Sequence, residues 1–413
     1  MIKRVAIPII VVLLLILIAP GVTQAQDGLM VLDSTAEVDF PTAIIFKLQA
    51  ESDIDITDVR LHYRVDRVNF ALVTSEVWPE FTPGQKVEAS WTWDARKVGG
   101  LPPGTEVEYW WTIGNAAEVE VESSPKMVCF DDLRYPWQSL TSGQVTLLWY
   151  DGDSSFAQEL MADARQALAR LAEDTGAYPT RPVRIYIYAS TDDLHGAMIY
   201  PQEWTGGVAF TMYSTIVIGI PVGELSWGKR AVAHELTHLV IHQVTLSPYG
   251  GIPAWLDEGL AMYAEGELEP HYQSMLYGAV SEGRLISVRS LSSPFSAYAG
   301  EARLSYAQSY SLMEFLIDEF GQDRMLKLLN AFGQGSGYDE ALSRVYGFDM
   351  DGLDTLWQES ISAGVSPAGT VALHPALITV LAALATLLLL GAGVAIRRRI
   401  RSQDGEVDKN GGM

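Results

Sequence analysis

Cysteine is almost absent from this chain of 413 residues, because Cys129 is the only one. A single cysteine excludes an intrachain disulfide, so the fold must rest on the burial and packing of other side chains. It also excludes a metal site built from several cysteines. Internal repeats and low-complexity tracts are likewise missing from the sequence.

Basic residues are scarce as well. Lysine and arginine number 28 against 51 aspartates and glutamates, which gives a formal net charge of −23. Binding to a phosphate backbone requires clustered lysines and arginines, and the region between the two chain ends has no such run. The composition therefore excludes nucleic acid as a partner. The acidic excess favours solubility, but charge alone does not name a substrate.

Histidine is also uncommon, with seven in the chain, yet two of them stand four residues apart in the segment HELTH at residues 234–238. Residues four apart on a helix lie nearly above one another, so His234 and His238 can reach a single ion while Glu235 lies beside them. The pattern is typical of a hydrolytic zinc site. Flanking apolar residues at helical spacing predict a buried helix with one polar edge.

A catalytic zinc ion takes three protein ligands and leaves one position open, so a further donor is needed. The chain turns through residues 247–253, and a second helix is predicted to begin near Pro253. Glu258 lies on that helix, 20 residues after His238. A helix-turn-helix arrangement can fold the Glu258 carboxylate back toward the two histidines, so Glu258 is the candidate third ligand of one Zn²⁺.

At these residues the chain resembles the gluzincin (MA-like) zinc metallopeptidases. That family carries HExxH on one helix and its ligand glutamate within a W-L-x-E-G-x-A segment on the next, and the segment AWLDEGLA at residues 254–261 has this pattern. The resemblance covers about residues 140–365. It implies that His234, His238 and Glu258 bind the metal and that Glu235 is the general base.

One position departs from the family pattern. Some gluzincins keep an aspartate four residues beyond the ligand glutamate to orient a zinc-binding histidine, but Met262 stands there in this chain. Ligating imidazoles usually donate their other N–H to a carboxylate or a carbonyl. Asp257 and Glu265 are the nearby carboxylates that could take this part, and the sequence does not choose between them.

The resemblance implies hydrolysis of a peptide bond, in which zinc activates a water and Glu235 passes its proton to the leaving amine. Related aminopeptidases use a tyrosine to stabilise the oxyanion. Tyr306 and Tyr310 offer two hydroxyls one helical turn apart, and we favour Tyr306. Simple packing of the helix that carries them explains either tyrosine about equally well.

Two strands, over residues 206–212 and 215–220, are predicted before the zinc helix. In gluzincins a strand at this place edges the cleft, so residues 207–211 could bind an extended peptide by strand addition. An ordinary core hairpin fits the same pattern. An acidic motif that would hold the free amine of an aminopeptidase substrate is not recognisable here, which favours endopeptidase action.

The predicted fold class is α+β, with a zincin-like metallopeptidase domain over residues 140–365. An all-β sandwich of immunoglobulin or fibronectin type is predicted to precede it, over residues 30–135. Alternating apolar residues predict its strands, including 87–93 and 107–113, and their tryptophans are expected in the core rather than on a binding surface. A strand at 145–150, a helix at 155–173 and a strand at 183–188 begin the peptidase domain.

The two ends of the chain predict export and anchoring. Residues 1–25 read as a signal peptide, which is either cleaved or retained as an anchor. After a linker at 366–375, residues 376–396 are 21 residues without a charge, enough for one transmembrane helix. Four arginines open the tail at 397–413 and mark it as cytoplasmic. The expected protein is single-pass, with its N-terminal bulk outside the cell and the lipid membrane as a partner.

Together these features predict a cell-surface zinc-dependent peptidase that acts on peptide or protein substrates. The competing hypothesis is a non-catalytic ectodomain, in which zinc only ties two helices together and the sandwich binds a partner. Glu235 disfavours it, because a purely structural site needs no base beside an open coordination position. A weaker third hypothesis is that no metal binds. The sequence leaves the oligomeric state open.

Overall fold

The structure is a computed structural model that describes residues 28–202, 205–295 and 299–364. The chain divides into two compact units, residues 1–355 and 356–413, and the described part of the second is the end of the last helix. The predicted signal, linker, transmembrane helix and cytoplasmic tail fall outside the described residues. Among the helices that are described, none has the length and apolar character needed to cross a bilayer.

The N-terminal part of the first unit is an antiparallel β-sandwich. Its strands are β1 (Met30–Asp39), β2 (Ala43–Val65), β3 (Ser75–Val77), β4 (Gly84–Asp94), β5 (Thr105–Asn115), β6 (Glu120–Glu122) and β7 (Lys126–Phe130). The long strand β2 belongs to both layers. Its first part pairs with β1 and β4, its second part pairs with β3 and β5, and the register against β4 shifts between Glu51 and Ile56. The predicted sandwich is confirmed.

The sandwich core is built from the alternating residues that the sequence pattern pointed inward. Phe46 of β2 lies 5.0 Å from Tyr109 of β5 between ring centroids, which joins the two layers across one core. Trp111 is fully buried, Trp93 is buried, and the half-buried Trp91 stacks on Phe46. These tryptophans are core residues, as the alternation predicts.

A second sheet follows and mixes parallel and antiparallel strands. It contains β8 (Gln138–Ser142), β9 (Val145–Trp149), β10 (Val183–Tyr188), β11 (Gly207–Phe210) and β12 (Thr215–Gly219), in the spatial order β11-β12-β10-β9-β8. Strands β9, β10 and β12 are parallel, and β11 is an antiparallel edge strand. The strand predicted over 206–212 is shorter than expected, because residues Thr211–Tyr213 form a 3-10 turn that reverses the chain at Ser214, where φ is +52°.

The remaining elements are helices, and the last of them runs into the second unit. They are α1 (Ser154–Thr175), α2 (Thr191–His195), α3 (Leu225–Val244), α4 (Ala254–Ala264), α5 (Pro270–Glu282), α6 (Ala299–Phe320), α7 (Gln322–Gly333), α8 (Tyr338–Tyr346) and α9 (Met350–Gly364). Helix α3 carries the HELTH segment and α4 carries Glu258. The order of mixed strands and helices followed by helices alone is the α+β arrangement predicted for this region.

Two glycines let the elements around the HELTH helix approach closely. A Cβ at Gly228 of α3 would lie 2.4 Å from Cγ2 of Ile220, at the end of β12. A Cβ at Gly259 of α4 would lie 2.5 Å from the backbone oxygen of Ser309 in α6. Such distances leave no room for a side chain, so α3 packs tightly against the sheet and α6 packs tightly against α4, beside Glu258.

Candidate metal centre and cleft

Three donor atoms from α3 and α4 converge on one point. The Nε2 atoms of His234 and His238 lie 3.1 Å apart, and each lies 3.5 Å from Oε2 of Glu258. Ligands held about 2.0–2.1 Å from a tetrahedral ion are separated by about 3.3 Å, so this triangle has the size that a zinc ion requires. The structure therefore brings together the three residues that the sequence predicted as ligands.

The chemistry of the third donor also fits a cation. Oε2 of Glu258 is buried and has no hydrogen-bond partner among the described residues. A buried carboxylate oxygen without a partner is costly, and a metal ion would remove that cost. Burial by itself raises the pKa of Glu258, but the two imidazoles outweigh it and lower the pKa to about 2. The carboxylate is thus ionised and ready to bind a cation.

Glu235 lies between the metal centre and strand β11. A Cβ on Gly207 would lie 3.1 Å from Oε1 of Glu235, and the backbone N–H of Ala209 donates to the carboxylate. Burial is the largest influence and raises the pKa of Glu235 above its ordinary value, although the imidazoles and the Ala209 amide oppose it. A carboxylate with a raised pKa accepts a proton more readily, as a general base must.

Each imidazole is oriented by a second carboxylate, and the two acids are those that the sequence left as alternatives. Nδ1 of His234 lies 2.8 Å from Oε1 of Glu265, and Nδ1 of His238 lies 2.8 Å from Oδ1 of Asp257. With Nε2 turned toward the ion, Nδ1 carries the proton and donates it to these oxygens. Met262, at the position of the family aspartate, is buried in an apolar cluster instead.

The structure adds one contributor that sequence reasoning missed. Arg230 donates from Nε and a terminal nitrogen to Oε2 of Glu265, at 3.0 and 2.7 Å, and a second terminal nitrogen lies 3.2 Å from Glu269. Arg230 stands four residues before His234 on α3, so helical spacing places both on one face. The sequence therefore indicated that Arg230 and His234 share a helix face. It did not show which carboxylate near the end of α4 would contact them.

We expect Glu265→Gln to weaken zinc binding by about 10–100-fold, the usual cost of removing an outer partner of a ligating histidine. An amide has only one oxygen, so its NH₂ group must face either His234 or Arg230, and both of these are donors. The measurement is the zinc dissociation constant, by competition with a chromophoric chelator. Glu267→Gln, an exposed neighbour, is the matched control, and equal affinities in the two variants would contradict the assignment.

His242 is drawn into the same network, although helical drift moves it away from the ion. Its Nε2 lies 2.9 Å from Oδ2 of Asp257, so Asp257 bridges His238 and His242. His238, His242 and Asp257 also lie close enough together to hold a cation. Both oxygens of Asp257, however, already lie within hydrogen-bond distance of an imidazole, at 2.8 and 2.9 Å, whereas Oε2 of Glu258 makes no hydrogen bond among the described residues. The first group is therefore the better cation site.

The two candidate tyrosines have different surroundings. Tyr306 lines the cleft together with His234, Glu235 and Glu258. Tyr310 is buried in the apolar cluster with Met262 and turns away from the cleft lining. Burial, followed by the charge of Glu258, raises the pKa of Tyr306, so its hydroxyl keeps its proton at neutral pH. Of the two, Tyr306 is the one able to donate a hydrogen bond into the cleft.

The cleft above the metal centre has a volume of about 470 Å³. Strand β11 forms one wall, and one side of α3 forms the floor from Trp227 to His238. The backbone N–H of Gly219 donates to the oxygen of Gly206, so in an antiparallel ladder Gly207 and Ala209 turn their backbone groups toward the outer edge of β11. No described strand pairs with that edge, although the Ala209 N–H already donates to Glu235. Metal donors, a carboxylate and an outer strand edge thus share one cleft.

Comparison with known proteins adds a family to this geometry. Residues 163–363 match the family model described as Peptidase MA superfamily. The resemblance to gluzincin-type peptidases is thereby confirmed for this segment, and together with the donor geometry it supports a zinc peptidase. No curated protein sequence matches the chain.

Several solved structures share limited similarity with this chain. A mutant of a two-domain M1 zinc metallopeptidase bound to L-arginine is 13% identical over 81% of this chain and 94% of its own, with a TM-score of 0.39. Aminopeptidase A of Legionella pneumophila is 10% identical over 80% and 50%, with a TM-score of 0.34. OgpA of Akkermansia muciniphila is 12% identical over 27% and 30%, with a TM-score of 0.21. This chain thus matches under a third of the OgpA length, and these scores carry no inference about function.

Proposed function

We propose that this protein is a zinc-dependent endopeptidase anchored at the cell surface. The observation that carries the proposal is the convergence of His234, His238 and Glu258 on one point, with Glu235 beside it under the outer edge of β11. A site that only tied α3 to α4 would need neither a buried base nor an open cleft. The match to the peptidase MA superfamily supports the same chemistry.

The residues of the cleft divide the reaction among them. Zinc held by His234, His238 and Glu258 would be a Lewis acid, which would polarise the substrate carbonyl and make the attacking water more acidic. Glu235 takes the proton from that water and delivers it to the nitrogen of the leaving amine. Tyr306 donates its hydroxyl hydrogen to the oxygen that gains negative charge. Glu265 and Asp257 hold the imidazoles in their donor orientation.

Tyr306→Phe should lower kcat by about 10²–10³-fold with little change in KM or in zinc content, as expected when one oxyanion donor is lost. The ring, and therefore its edge contact with Phe295 at 5.2 Å between centroids, is retained. Tyr310→Phe is the control, because it removes a hydroxyl one turn away that meets the backbone of Leu268 and does not line the cleft. Steady-state kinetics on a quenched fluorescent peptide measures both. A loss of kcat confined to Tyr310→Phe would reverse the assignment.

Cleavage inside a chain is favoured over removal of the first residue. An aminopeptidase must hold the free amine of its substrate with an uncommitted carboxylate. Among the carboxylates lining the described cleft, Glu265 faces His234 and Arg230, and Glu269 faces Arg230 and His271. Glu258 is the proposed metal ligand, and Glu235 is the proposed general base. The edge of β11 instead offers backbone groups, which bind extended chains whatever their termini.

The proposed location rests on the sequence of the two ends. The 21 uncharged residues at 376–396 are followed by Arg397, Arg398 and Arg399, which favours a single span with the tail inside the cell. Protease treatment of intact cells tests this. Digestion of the peptidase domain with survival of a tag placed after residue 413 is expected, and a tag digested along with the domain would exclude the topology.

The central test is digestion of a peptide library by the purified protein. We expect internal cleavages that stop when a chelator removes the metal and return when Zn²⁺ is added. A protein that binds zinc in equal molar amount but cleaves nothing would favour the non-catalytic ectodomain instead. A protein that binds no zinc would exclude both.

A further inference from the structure

A second cavity lies near the C-terminal end of α3, and its lining shares no residue with that of the cleft. It has a volume of about 270 Å³ and borders His242 and Gln243 on α3. The cleft floor runs along one side of α3 through Trp227, His234 and His238, and His242 continues that series by one more turn. The second cavity therefore opens beyond the metal centre, toward the C-terminal end of α3.

Strand β11 leads to the same place. At its start, a Cβ on Gly206 would lie 3.0 Å from the ring of Trp227, near the beginning of α3. Past its end, Thr211 and Met212 line the second cavity. The edge strand thus runs alongside α3 in the same direction, from the Trp227 end of the cleft to the second cavity.

The other wall of this cavity comes from the β-sandwich. The β2–β3 loop, residues 66–74, contributes Val68 and Phe70 to the lining. It is fixed to the peptidase sheet region by two contacts: the Val68 N–H donates to the Met212 oxygen at 2.7 Å, and Asp66 pairs with Arg181 at 2.8 Å. Phe70 is nevertheless 57% exposed, which is unusual for a phenylalanine held beside a cavity.

The chain direction of β11 determines which part of a bound peptide would reach the second cavity. A peptide added antiparallel to β11 places its N-terminal part toward Phe210 and beyond. Its reacting bond lies beside Glu235, which faces Gly207 and Ala209. Strand β11 ends at Phe210, and Thr211 and Met212 begin the turn that follows it, so the cavity they line lies just past the end of the strand. At about 3.4 Å per residue, an extended peptide reaches that cavity about three to four residues before its reacting bond.

We propose that the second cavity is a substrate subsite, which takes an apolar side chain three or four residues before the scissile bond and which the β2–β3 loop completes. The proposal deepens, and rests on, the peptidase function proposed above. The lining favours an apolar occupant, because it is formed by Val68, Phe70, Met212, Leu246 and Ile252 with uncharged polar residues between them and His242 at one side. The sandwich thereby helps to select the substrate.

Cleavage-site profiling with a proteome-derived peptide library tests the subsite. For the parent protein we expect apolar residues to be enriched at the third or fourth position before the cut. Two synthetic peptides that differ there, one with leucine and one with aspartate, should differ about tenfold in kcat/KM, in the range of a filled apolar pocket. Phe70→Ser should reduce that ratio toward one, because the leucine peptide loses an apolar contact that the aspartate peptide does not use.

Two further variants make the test independent of folding effects. Leu72→Ser is the control, because Leu72 lies on the same loop, is 81% exposed and does not line this cavity. Gly251→Phe approaches the site from the opposite wall, where an added Cβ would meet no atom within 4 Å, and should fill the cavity. Loss of the preference in Phe70→Ser and Gly251→Phe, with its retention in Leu72→Ser, is the expected result.

Results that contradict the subsite can be distinguished from results that contradict the peptidase function. A parent protein that cleaves peptides without any preference at these positions, or a preference that survives in both Phe70→Ser and Gly251→Phe, would overturn the subsite alone. A parent protein that cleaves no peptide of any sequence, with zinc bound, would overturn the peptidase function and the subsite with it.

Discussion

Glu235→Gln is expected to reduce peptide hydrolysis by at least about 10²–10⁴-fold while the protein keeps its zinc. The amide cannot take a proton from the attacking water. Its oxygen can still accept the N–H of Ala209, and its size is that of the carboxylate, so the contact with β11 is preserved. Metal content by elemental analysis and kcat/KM on one peptide, measured on the same preparation, separate the two effects.

The matched control for this substitution is Glu267→Gln, which makes the same chemical change at an exposed position near the end of α4. It should retain both activity and zinc. A Glu235→Gln protein that hydrolyses peptides at the parent rate would show that the base lies elsewhere. A Glu235→Gln protein that loses its zinc would show that Glu235 acts on the metal centre itself, contrary to the geometry, in which three other residues form the donor triangle.

Periodicity predicted the local elements of this fold well but could not predict their pairing. Strand β10 and helix α1 lie where alternation and helical spacing put them, because each buries one regular face. Strand β2 shows what the pattern misses. Its 23 residues belong to two layers, and the change of partners depends on distant strands rather than on its own alternation. The register of a strand depends on the strand it pairs with, so it cannot be read from one strand alone.

The donor residues were predictable because they are close in sequence. His234 and His238 are one helical turn apart, and the next helix carries Glu258, so local geometry nearly determines their meeting. The outer contacts depend on how α4 packs against α3. Asp257 and Glu265 could be named as candidates, but their assignment to His238 and His234 could not. The rotation between successive helical turns moves His242 away from the donor triangle, as expected. The same rotation places the His242 ring against Asp257.

The choice between Tyr306 and Tyr310 was also beyond the sequence. Both lie on one helix face, one turn apart, and either could turn toward the cleft. The position of α6 is set by its contact with Gly259, where the Ser309 backbone comes too close for any side chain on α4. That contact places Tyr306 at the cleft and Tyr310 in the apolar cluster.

Glu258→Ala is expected to weaken zinc binding by more than about 100-fold, beyond the loss caused by removing an outer partner of a ligand. The substitution leaves two imidazoles, and two donors do not make a catalytic zinc site. It also removes the buried oxygen that lacks any other partner, so the metal-free protein should remain folded. The clearest readout is the gain in thermal stability on adding Zn²⁺, because a ligand stabilises the folded state in proportion to the logarithm of its concentration over its dissociation constant.

The alternative set of metal ligands, His238, His242 and Asp257, provides the control for this experiment. If the ion is held by His238, His242 and Asp257 instead, Glu258→Ala should keep the zinc-dependent rise in melting temperature and His242→Ala should lose it. The structure predicts the reverse order. Among the described residues the His242 ring hydrogen-bonds to Asp257, and it stands outside the donor triangle, so His242→Ala should keep most of the stabilisation. Because Glu258 closes that triangle at 3.5 Å from both imidazoles, its loss should remove the stabilisation almost entirely.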